Sequence, residues 1–358
     1  MSTAAAQLRP ELAGATPYGS PQLDVPIRLD TNENPYPPPR AVVDDITAAV
    51  SVAAGGLNRY PDREARALRH DLAGYLGYGL RSEQIWPANG SNEVMLQLLQ
   101  AYGGPGRTVM SFAPTYSMYP HFARSTATDW VCHPRRPDFG IDVDTALEHL
   151  SAEQPDVLVL ASPNNPTGAA LELETVAALA DRAPGLVIVD EAYAEFRRPE
   201  VPSALALLAE RPRLVVTRTM SKAFALAGAR VGYAAADPQV VAALRLVRLP
   251  YHLSTLTQVV ARAALQHSAT LLAQLDELRA ERDALVGWLR RAGLSVADSD
   301  ANFVLFGRFP DTRPVWQGLV DRGILIRDAG PPGWLRVSIG TPQQMSAFRS
   351  ELTEVLAG

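Results

Sequence analysis

Short apolar runs alternate with helical patterns through the middle of this chain. The runs cover residues 108–112, 130–132, 157–161, 186–189, 214–217 and 231–234, and helical spacing lies between several of them, near 117–127, 143–151 and 171–183. Short continuous apolar runs are typical of strands buried on both faces, and their alternation with helices is typical of crossover connections. The pattern therefore predicts an α/β fold built on a mostly parallel sheet with helices on both faces.

The segments before this region predict an arm followed by helices. Residues 1–40 are rich in proline and polar residues and have no helical period, so they are expected to lie along a larger body. Apolar residues recur at helical spacing in 41–52 and 64–76. The Asn-Gly-Ser turn at 89–91 then opens a helix over 94–102.

The C-terminal part predicts a smaller α+β unit. One long helix is predicted over 255–291 and is ended by Gly293. The elements expected after it are strands over 302–306, 324–327 and 334–339 and helices over 315–322 and 342–356. We therefore predict an N-terminal arm (1–40), a large domain (41–254) and a small domain (255–358).

Composition narrows the class of protein. The chain of 358 residues is 47% apolar and 20% charged, which is ordinary for a globular enzyme. A net charge of −5 argues against a nucleic-acid or anionic-membrane partner. The single Cys132 excludes an intramolecular disulfide framework and offers no metal-site spacing. No apolar window is long enough for a membrane span, and the first 14 residues lack the pattern of a signal peptide. We expect a cytoplasmic location.

Lys222 is the only lysine among the 33 basic residues. Arginine stays protonated, whereas lysine can lose its proton in a suitable environment and attack a carbonyl. A coding bias toward arginine explains the shortage of lysine. It does not explain why the one that remains follows the apolar run 214–217 and sits among small and hydroxyl residues such as Ser221 and Ala223. We interpret Lys222 as a Schiff-base lysine for an aldehyde cofactor.

Side chains that follow the predicted strands supply what pyridoxal phosphate needs from a protein. The cofactor needs an amine, an acid for its ring nitrogen, donors to its phenolate oxygen, an aromatic side chain (the plate) that stacks on its ring, and a set of hydrogen-bond donors (the cradle) for its phosphate. Ligands of such sheets bind beyond the carboxyl ends of the strands. The candidates there are Lys222 as the amine, Asp190 as the acid, Asn165 and Tyr193 as donors, Tyr116 as the plate, and Ser91, Asn92, Thr219, Ser221 and Arg230 around the phosphate.

Each candidate also has a structural interpretation. Asp190 can cap the next turn, Asn165 can hold its Asn-Pro turn, Tyr116 can pack in the core and Arg230 can form a salt bridge. Singly, these interpretations are the more common ones. Jointly they are disfavoured, because the edge of one open sheet would gather all of these residues.

Several motifs resemble those of fold-type I pyridoxal-phosphate aminotransferases. They are SPNNPTG (162–168), VDEAY (189–193) and TRTMSKAFALAGARVGY (217–233). Others look like the histidinol-phosphate branch of that family: LDTNENPYPP (29–38), NRYPD (58–62), ANGSNE (88–93), ILIRD (324–328) and WLRVSIGT (334–341). The resemblance covers the chain from about residue 16 onward, with the motifs in the family's order.

The resemblance implies a seven-stranded-type sheet in a large cofactor-binding domain (41–254), and an arm (1–40) that packs on the small domain (255–358) and on the dimer partner. It implies catalytic roles for Lys222, Asp190 and Tyr193. Lys222 would carry the cofactor and move the proton between the substrate and the cofactor. The resemblance also implies a homodimer in which Tyr60 reaches the cofactor phosphate of the partner subunit. Substrate-binding positions would be Tyr18, Asn34, Arg327 and Arg336. The implied reaction is a ping-pong transamination between histidinol phosphate and 2-oxoglutarate in histidine biosynthesis, without a metal ion.

The substrate is the point at which alternatives stay open. One site must accept histidinol phosphate and glutamate in turn, and arginine suits both phosphate and carboxylate. Arg327 and Arg336 could instead pair with Asp328 or Asp321. An aromatic aminotransferase is the main alternative, and a decarboxylase of the same fold is a weaker one. A DNA-binding regulator with such a domain is disfavoured, because residues 1–40 are too few for a DNA-binding module.

Overall fold

The computed structural model describes residues 8–17, 19–328 and 330–357. Its strands are β1 (Ile27–Arg28), β2 (Ile85–Ala88), β3 (Thr108–Ala113), β4 (Asp129–Pro134), β5 (Val157–Ala161), β6 (Leu186–Asp190), β7 (Leu214–Thr219), β8 (Gly232–Ala236), β9 (Ser295–Val296), β10 (Phe303–Gly307), β11 (Ile324–Leu325) and β12 (Trp334–Ser338). Its α-helices are α1 (Arg40–Ala54), α2 (Arg66–Leu76), α3 (Ser91–Tyr102), α4 (Tyr119–Ser125), α5 (Val143–Glu153), α6 (Leu173–Arg182), α7 (Pro238–Val247), α8 (Thr255–Gln266), α9 (Ser268–Ala273), α10 (Leu275–Arg291), α11 (Arg313–Asp321) and α12 (Pro342–Ala357).

The central element is a seven-stranded sheet with the order β2-β8-β7-β6-β5-β3-β4. The pairs from β7 to β4 are parallel, and β8 is antiparallel to both of its neighbours. Alternate residues of each central strand pack on opposite faces: Leu158 and Leu160 of β5 lie in one apolar cluster, and Val157 and Val159 lie in the other. Burial on both faces explains the unbroken apolar runs. The predicted α/β fold with a mostly parallel sheet is confirmed.

One strand of this sheet was not predicted. Trp86, Pro87 and Ala88 belong to β2, which is buried along its length and pairs only with β8, at the edge of the sheet. Proline lacks an N–H group and is tolerated in a strand that has a neighbour on one side only. The presence of Pro87 therefore explains why the sequence pattern did not indicate this edge strand.

The predicted helix over 255–291 is wrong as a single element. It is divided into α8, α9 and α10 at His267 and Gln274. His267 has φ −108° and ψ 19°, and its Nε2 lies 2.6 Å from Oδ2 of Asp45 on α1. A contact across so long a separation leaves no periodic signal in the sequence. Helix α7, which Asp237 caps by accepting from the N–H of Gln239, was also not predicted.

The C-terminal part carries a small antiparallel sheet in the order β12-β10-β9. The arm is tied to this part of the chain in two places: β1 pairs in parallel with β11 in a separate two-stranded sheet, and the Ser338 N–H of β12 donates to the carbonyl of Leu29 (2.9 Å). The predicted boundaries near residues 40 and 254 stay a prediction. In the part of the chain that the structure describes, no helix has the length and apolar character needed to cross a membrane.

Candidate active site

A cavity of about 180 Å³ opens at the carboxyl ends of β5, β6 and β7. The predicted residues that line it are Ser91, Asn92, Tyr116, Asn165, Asp190, Tyr193, Thr219, Ser221, Lys222, Arg230, Arg327 and Arg336. The arm contributes Ser20, Asp30, Thr31 and Asn32 to the same lining. The position agrees with the rule that ligands of parallel sheets bind beyond the strand ends.

Lys222 lies in the loop that follows β7. Its Nζ donates to the carbonyl of Thr31 (2.8 Å). Burial, together with the positive charges of Arg336 and Arg230 and against the opposing charge of Glu33, lowers the pKa of Lys222 to about 8. An amine with this pKa is partly neutral near physiological pH and can act as a nucleophile or as a base.

Asp190 ends β6 and is 8% exposed. Tyr119 donates to Oδ2 (2.8 Å), and Thr217 on the adjacent strand donates to Oδ1 (3.1 Å). Burial raises the pKa of this carboxyl, while the two hydroxyl donors act in the opposite direction. A buried carboxylate held in this way is stabilised by a cation placed against it, which is what a protonated pyridine nitrogen supplies.

Hydroxyl groups and one arginine gather at the other end of the cavity, beside the start of α3. Thr219 Oγ1 lies 2.9 Å from Ser221 Oγ, which accepts from Arg230 Nη1 (3.3 Å). The first turn of α3, at Ser91 and Asn92, brings its unpaired backbone N–H groups to the same place. This donor set fits a phosphate group.

Two glycines make this end possible. Gly90 precedes α3 with φ 85°, and a Cβ atom there would lie 2.5 Å from Nη2 of Arg230. A Cβ atom on Gly232 of β8 would lie 2.1 Å from the backbone nitrogen of Ser91. Any other residue would separate the helix start, the strand and the arginine. The glycines therefore permit the close approach that a phosphate cradle requires.

Asn165, Tyr193 and Tyr116 lie between these two ends. Arg336 Nη1 donates to Asn165 Oδ1 (2.5 Å), which leaves the amide nitrogen as the donor toward a ligand. Asn32 Nδ2 donates to the hydroxyl of Tyr193 (3.0 Å) and holds this phenol in place. The ring of Tyr116 packs edge-on against Tyr119 with centroids 5.4 Å apart. These positions are compatible with the predicted roles as phenolate donors and ring plate.

The two arginines predicted to bind substrate are neighbours. The backbones of Arg327 and Arg336 exchange two hydrogen bonds of 2.9 Å. Arg336 is 6% exposed, donates through Nη2 to the carbonyl of Asp30 (2.5 Å) and lies over the ring of Phe303. Arg327 donates to the carbonyl of Gly19 (3.3 Å). Two guanidinium groups in the same cavity as the Lys222 amine are suited to bind a doubly charged anionic group of an amino substrate.

Two of the predicted residues, Asn34 and Tyr60, are not among the described residues that line the cavity. Asn34 donates to the carbonyl of Ala223 (3.3 Å) and accepts from the N–H of Tyr36, so its side chain ties the arm to the lysine loop. Tyr60 is 79% exposed and stacks on Tyr251 with centroids 4.3 Å apart. Tyr18 lies outside the described residues. Substrate or cofactor contacts by these three residues stay predictions.

The sequence did not indicate which residues support the candidate catalytic side chains. Tyr119 was assigned only to a helix, although its hydroxyl contacts Asp190. Glu191, which follows Asp190 and is 1% exposed, binds Arg218, with Oε2 2.7 Å from Nη2. Burial alone would raise the pKa of Glu191, but the charges of Arg218 and Arg197 hold it below its ordinary value. The two adjacent acidic residues in VDEAY could have indicated this ion pair, because a second carboxylate at the end of a buried strand needs a cationic partner of its own.

Comparison with known proteins agrees with this geometry. The family model of aminotransferase class I and II matches residues 24–352. The chain is 60% identical over 345 residues to the histidinol-phosphate aminotransferase of Thermobifida fusca (strain YX), covering 96% of this chain and 94% of that protein. It is 55% identical over 354 residues to histidinol-phosphate aminotransferase 3 of Burkholderia lata, covering 98% and 96%. The crystal structure of histidinol-phosphate aminotransferase from Sinorhizobium meliloti in complex with pyridoxal-5′-phosphate matches 99% of both chains, with a TM-score of 0.89 and 26% identity.

Proposed function

The chain belongs to the aminotransferase class I and II family, and on this premise we propose that it exchanges an amino group between L-histidinol phosphate and 2-oxoglutarate in histidine biosynthesis. The observation that carries the substrate assignment is the pair Arg327 and Arg336, which share one cavity with the amine of Lys222. A phosphate monoester and a side-chain carboxylate are both anions that guanidinium groups bind through paired hydrogen bonds. The near-full-length relatives of that name support the same assignment.

The cofactor is pyridoxal 5′-phosphate, and the described residues fit each of its polar groups. When bound, it supplies an aldehyde for the amino group and an electron sink for the charge that develops on the substrate carbon. Ser91, Thr219, Ser221 and Arg230 would hold the phosphate. Asp190 would hold a proton on the ring nitrogen, and its own two hydroxyl donors keep the carboxylate oriented toward that task.

Lys222 carries the proton chemistry. Because the pKa of Lys222 is lowered to about 8, Nζ can be neutral, and it would accept a proton from the substrate carbon and release it again. The amide of Asn165 and the hydroxyl of Tyr193 would donate to the phenolate oxygen. Their orientation comes from Arg336 and Asn32, so substrate-binding and arm residues also set the cofactor donors.

The decisive experiment compares amines in the first half-reaction. Wild-type enzyme is mixed with histidinol phosphate, histidinol or phenylalanine, and the change in cofactor absorption is followed without an acceptor. We expect histidinol phosphate to react with the highest kcat/KM and inorganic phosphate to compete with it. If phenylalanine reacts as efficiently as histidinol phosphate and inorganic phosphate does not compete, the enzyme is an aromatic aminotransferase.

We also propose that the active unit is a homodimer in which Tyr60 completes the phosphate site of the partner subunit. The exposure of Tyr60 and of Tyr251, Leu246 and Leu249 supports it, because large exposed apolar side chains are typical of an interface. Mixing Lys222→Ala with Tyr60→Ala subunits should restore part of the activity, since a hybrid dimer holds one intact site. An absence of recovery after verified subunit exchange would assign the site to a single chain. The predicted cytoplasmic location remains part of the proposal.

A further inference from the structure

Asp30 places a buried carboxylate at the end of the cavity that Arg327 and Arg336 line, which we call the substrate end. The residue is 1% exposed and belongs to the cavity lining together with Lys222, Arg327 and Arg336. Its Oδ2 accepts a hydrogen bond from Ser20 Oγ (2.6 Å). Among the described residues, none donates to Oδ1, although that atom is buried. One oxygen of this carboxylate is thus held by the protein, and the other is available to a ligand in the cavity.

A buried carboxylate oxygen without a donor is unfavourable, because the protein has removed it from water without replacing its hydrogen bonds. Folded proteins retain few such atoms, and one in a cavity wall is well placed to meet a ligand. Its negative charge disfavours the phosphate group, which the neighbouring arginines attract. The partner of Oδ1 is therefore an N–H or O–H group at a part of the substrate away from the phosphate.

We propose that Oδ1 of Asp30 accepts a hydrogen bond from the imidazole ring of the substrate and so selects it. This inference rests on the proposed function and deepens it. Histidinol phosphate carries three polar groups: an amine, a phosphate and an imidazole. The amine goes to the cofactor beside Lys222, and the phosphate goes to Arg327 and Arg336. The imidazole N–H is the substrate donor that remains, and among the described residues of the lining Oδ1 of Asp30 is the buried acceptor without a donor.

The backbone of Asp30 links this acceptor to the anion site. Its carbonyl accepts from Nη2 of Arg336 (2.5 Å), so the carboxylate and the guanidinium are held at a set separation. The guanidinium would then bind the phosphate of the substrate, and the carboxylate would accept a hydrogen bond from its imidazole ring. Glutamate has no ring, so it uses the arginine and leaves Asp30 aside. Phenylalanine has a ring without a donor and leaves Oδ1 unpaired, which is a known source of discrimination.

The test uses both half-reactions of the holoenzyme with Asp30→Asn and Asp30→Leu. The asparagine variant keeps the shape and an acceptor but loses the charge, and the leucine variant loses the acceptor. We expect kcat/KM for histidinol phosphate to fall by about tenfold in the first variant and by about a hundredfold in the second. The glutamate half-reaction should change by less than about threefold, and phenylalanine should react as well as with wild type or better.

Two controls accompany these variants. Asp298→Asn changes an exposed aspartate that pairs with Arg290, and it should leave both half-reactions unchanged. Ser20→Ala removes the donor to Oδ2 and should give a smaller loss than Asp30→Leu, again only with histidinol phosphate.

Equal losses with histidinol phosphate and with glutamate would overturn the inference, because Asp30 would then act on the reacting amine or on the fold. A wild-type preference for histidinol phosphate over phenylalanine that Asp30→Leu retains would overturn it as well, while leaving the proposed function in place. Wild-type enzyme without that preference would instead overturn the proposed function and this inference together.

Discussion

The two ends of the cavity are built in different ways. The cofactor end is made from the strand ends of a single sheet, where Asp190, Thr217 and Thr219 lie on the adjacent strands β6 and β7. The substrate end is assembled from the arm, β12 and the segment after β11, which contribute Asp30, Arg336 and Arg327. The first end depends on connections within one sheet, and the second depends on the packing of remote segments.

This difference separates the chemistry from the choice of substrate. A site carried by parallel strands inherits its geometry from the hydrogen-bonded sheet, which is buried on both faces. The substrate end is held by a few contacts, among them the two-residue pairing of β1 with β11, the bond that Ser338 Oγ donates to Asn32 Oδ1 and the bond that Asn32 Nδ2 donates to Tyr193. Substitutions at the cofactor end should therefore affect every substrate, and those at the substrate end should affect some substrates more than others.

The largest effect is expected for Lys222→Arg at the cofactor end. Arginine keeps the charge but cannot supply a neutral amine, so transamination of every substrate should fall by about 10³-fold or more. Borohydride reduction followed by mass analysis should find cofactor on wild-type Lys222 and none on the variant. The variant should still bind cofactor without a covalent bond, as its absorption will show. Cofactor fixed to the variant after reduction would contradict the assignment.

The next largest effect is expected for Asp190→Ala. Without a carboxylate the buried ring nitrogen loses its partner, and activity with all amines should fall by about 10²-fold. Asp190→Glu restores the charge with a longer side chain and should lose less. Both variants are measured in the two half-reactions. Wild-type rates in Asp190→Ala would remove Asp190 from the mechanism.

Arg336→Lys tests the substrate end. Lysine keeps a positive charge but not the two-pronged contact, and the loss of one charge-assisted hydrogen bond costs about 1.5–3 kcal/mol. The kcat/KM for histidinol phosphate should therefore fall by about tenfold to a hundredfold, whereas the already poor substrate histidinol should be affected far less. Equal losses for both amines would show that Arg336 acts through Asn165 and the cofactor rather than through the substrate phosphate.

The smallest effect is expected for Tyr119→Phe. This change removes the donor to Asp190 Oδ2 and should cost about threefold to tenfold at neutral pH. The pKa of Asp190 is raised by burial and lowered by this hydrogen bond, so removing the donor raises the pKa further. Because Asp190 must be ionised, the acid limb of the pH–activity profile should move to higher pH. Thr217→Val removes the donor to the other oxygen and should shift the limb in the same direction. A profile that does not move would show that the donors leave the charge of Asp190 unaffected.

The sequence was most informative where local pattern and chemistry coincide. The apolar runs correctly indicated the buried strands of a mostly parallel sheet, and Lys222 stood out because it is the one lysine in the sequence. Elements that depend on their neighbours were missed. Strand β2 was not predicted because it contains Pro87, which a strand tolerates only at a sheet edge, and its edge position is set by the tertiary structure. The divisions of the helix over 255–291 leave the helical periodicity of the sequence unchanged.

By itself, the sequence determined the fold class, the family and the set of groups at the cofactor end, because these follow from short motifs on consecutive strands of one sheet. Only the tertiary structure decided which groups support them. Tyr119 reaches Asp190, Arg336 orients Asn165, and Asp30 lies in the lining of the same cavity. The physical reason is that hydrogen bonds between segments more than 70 residues apart depend on how helices and sheets pack, and no spacing along the chain records that packing.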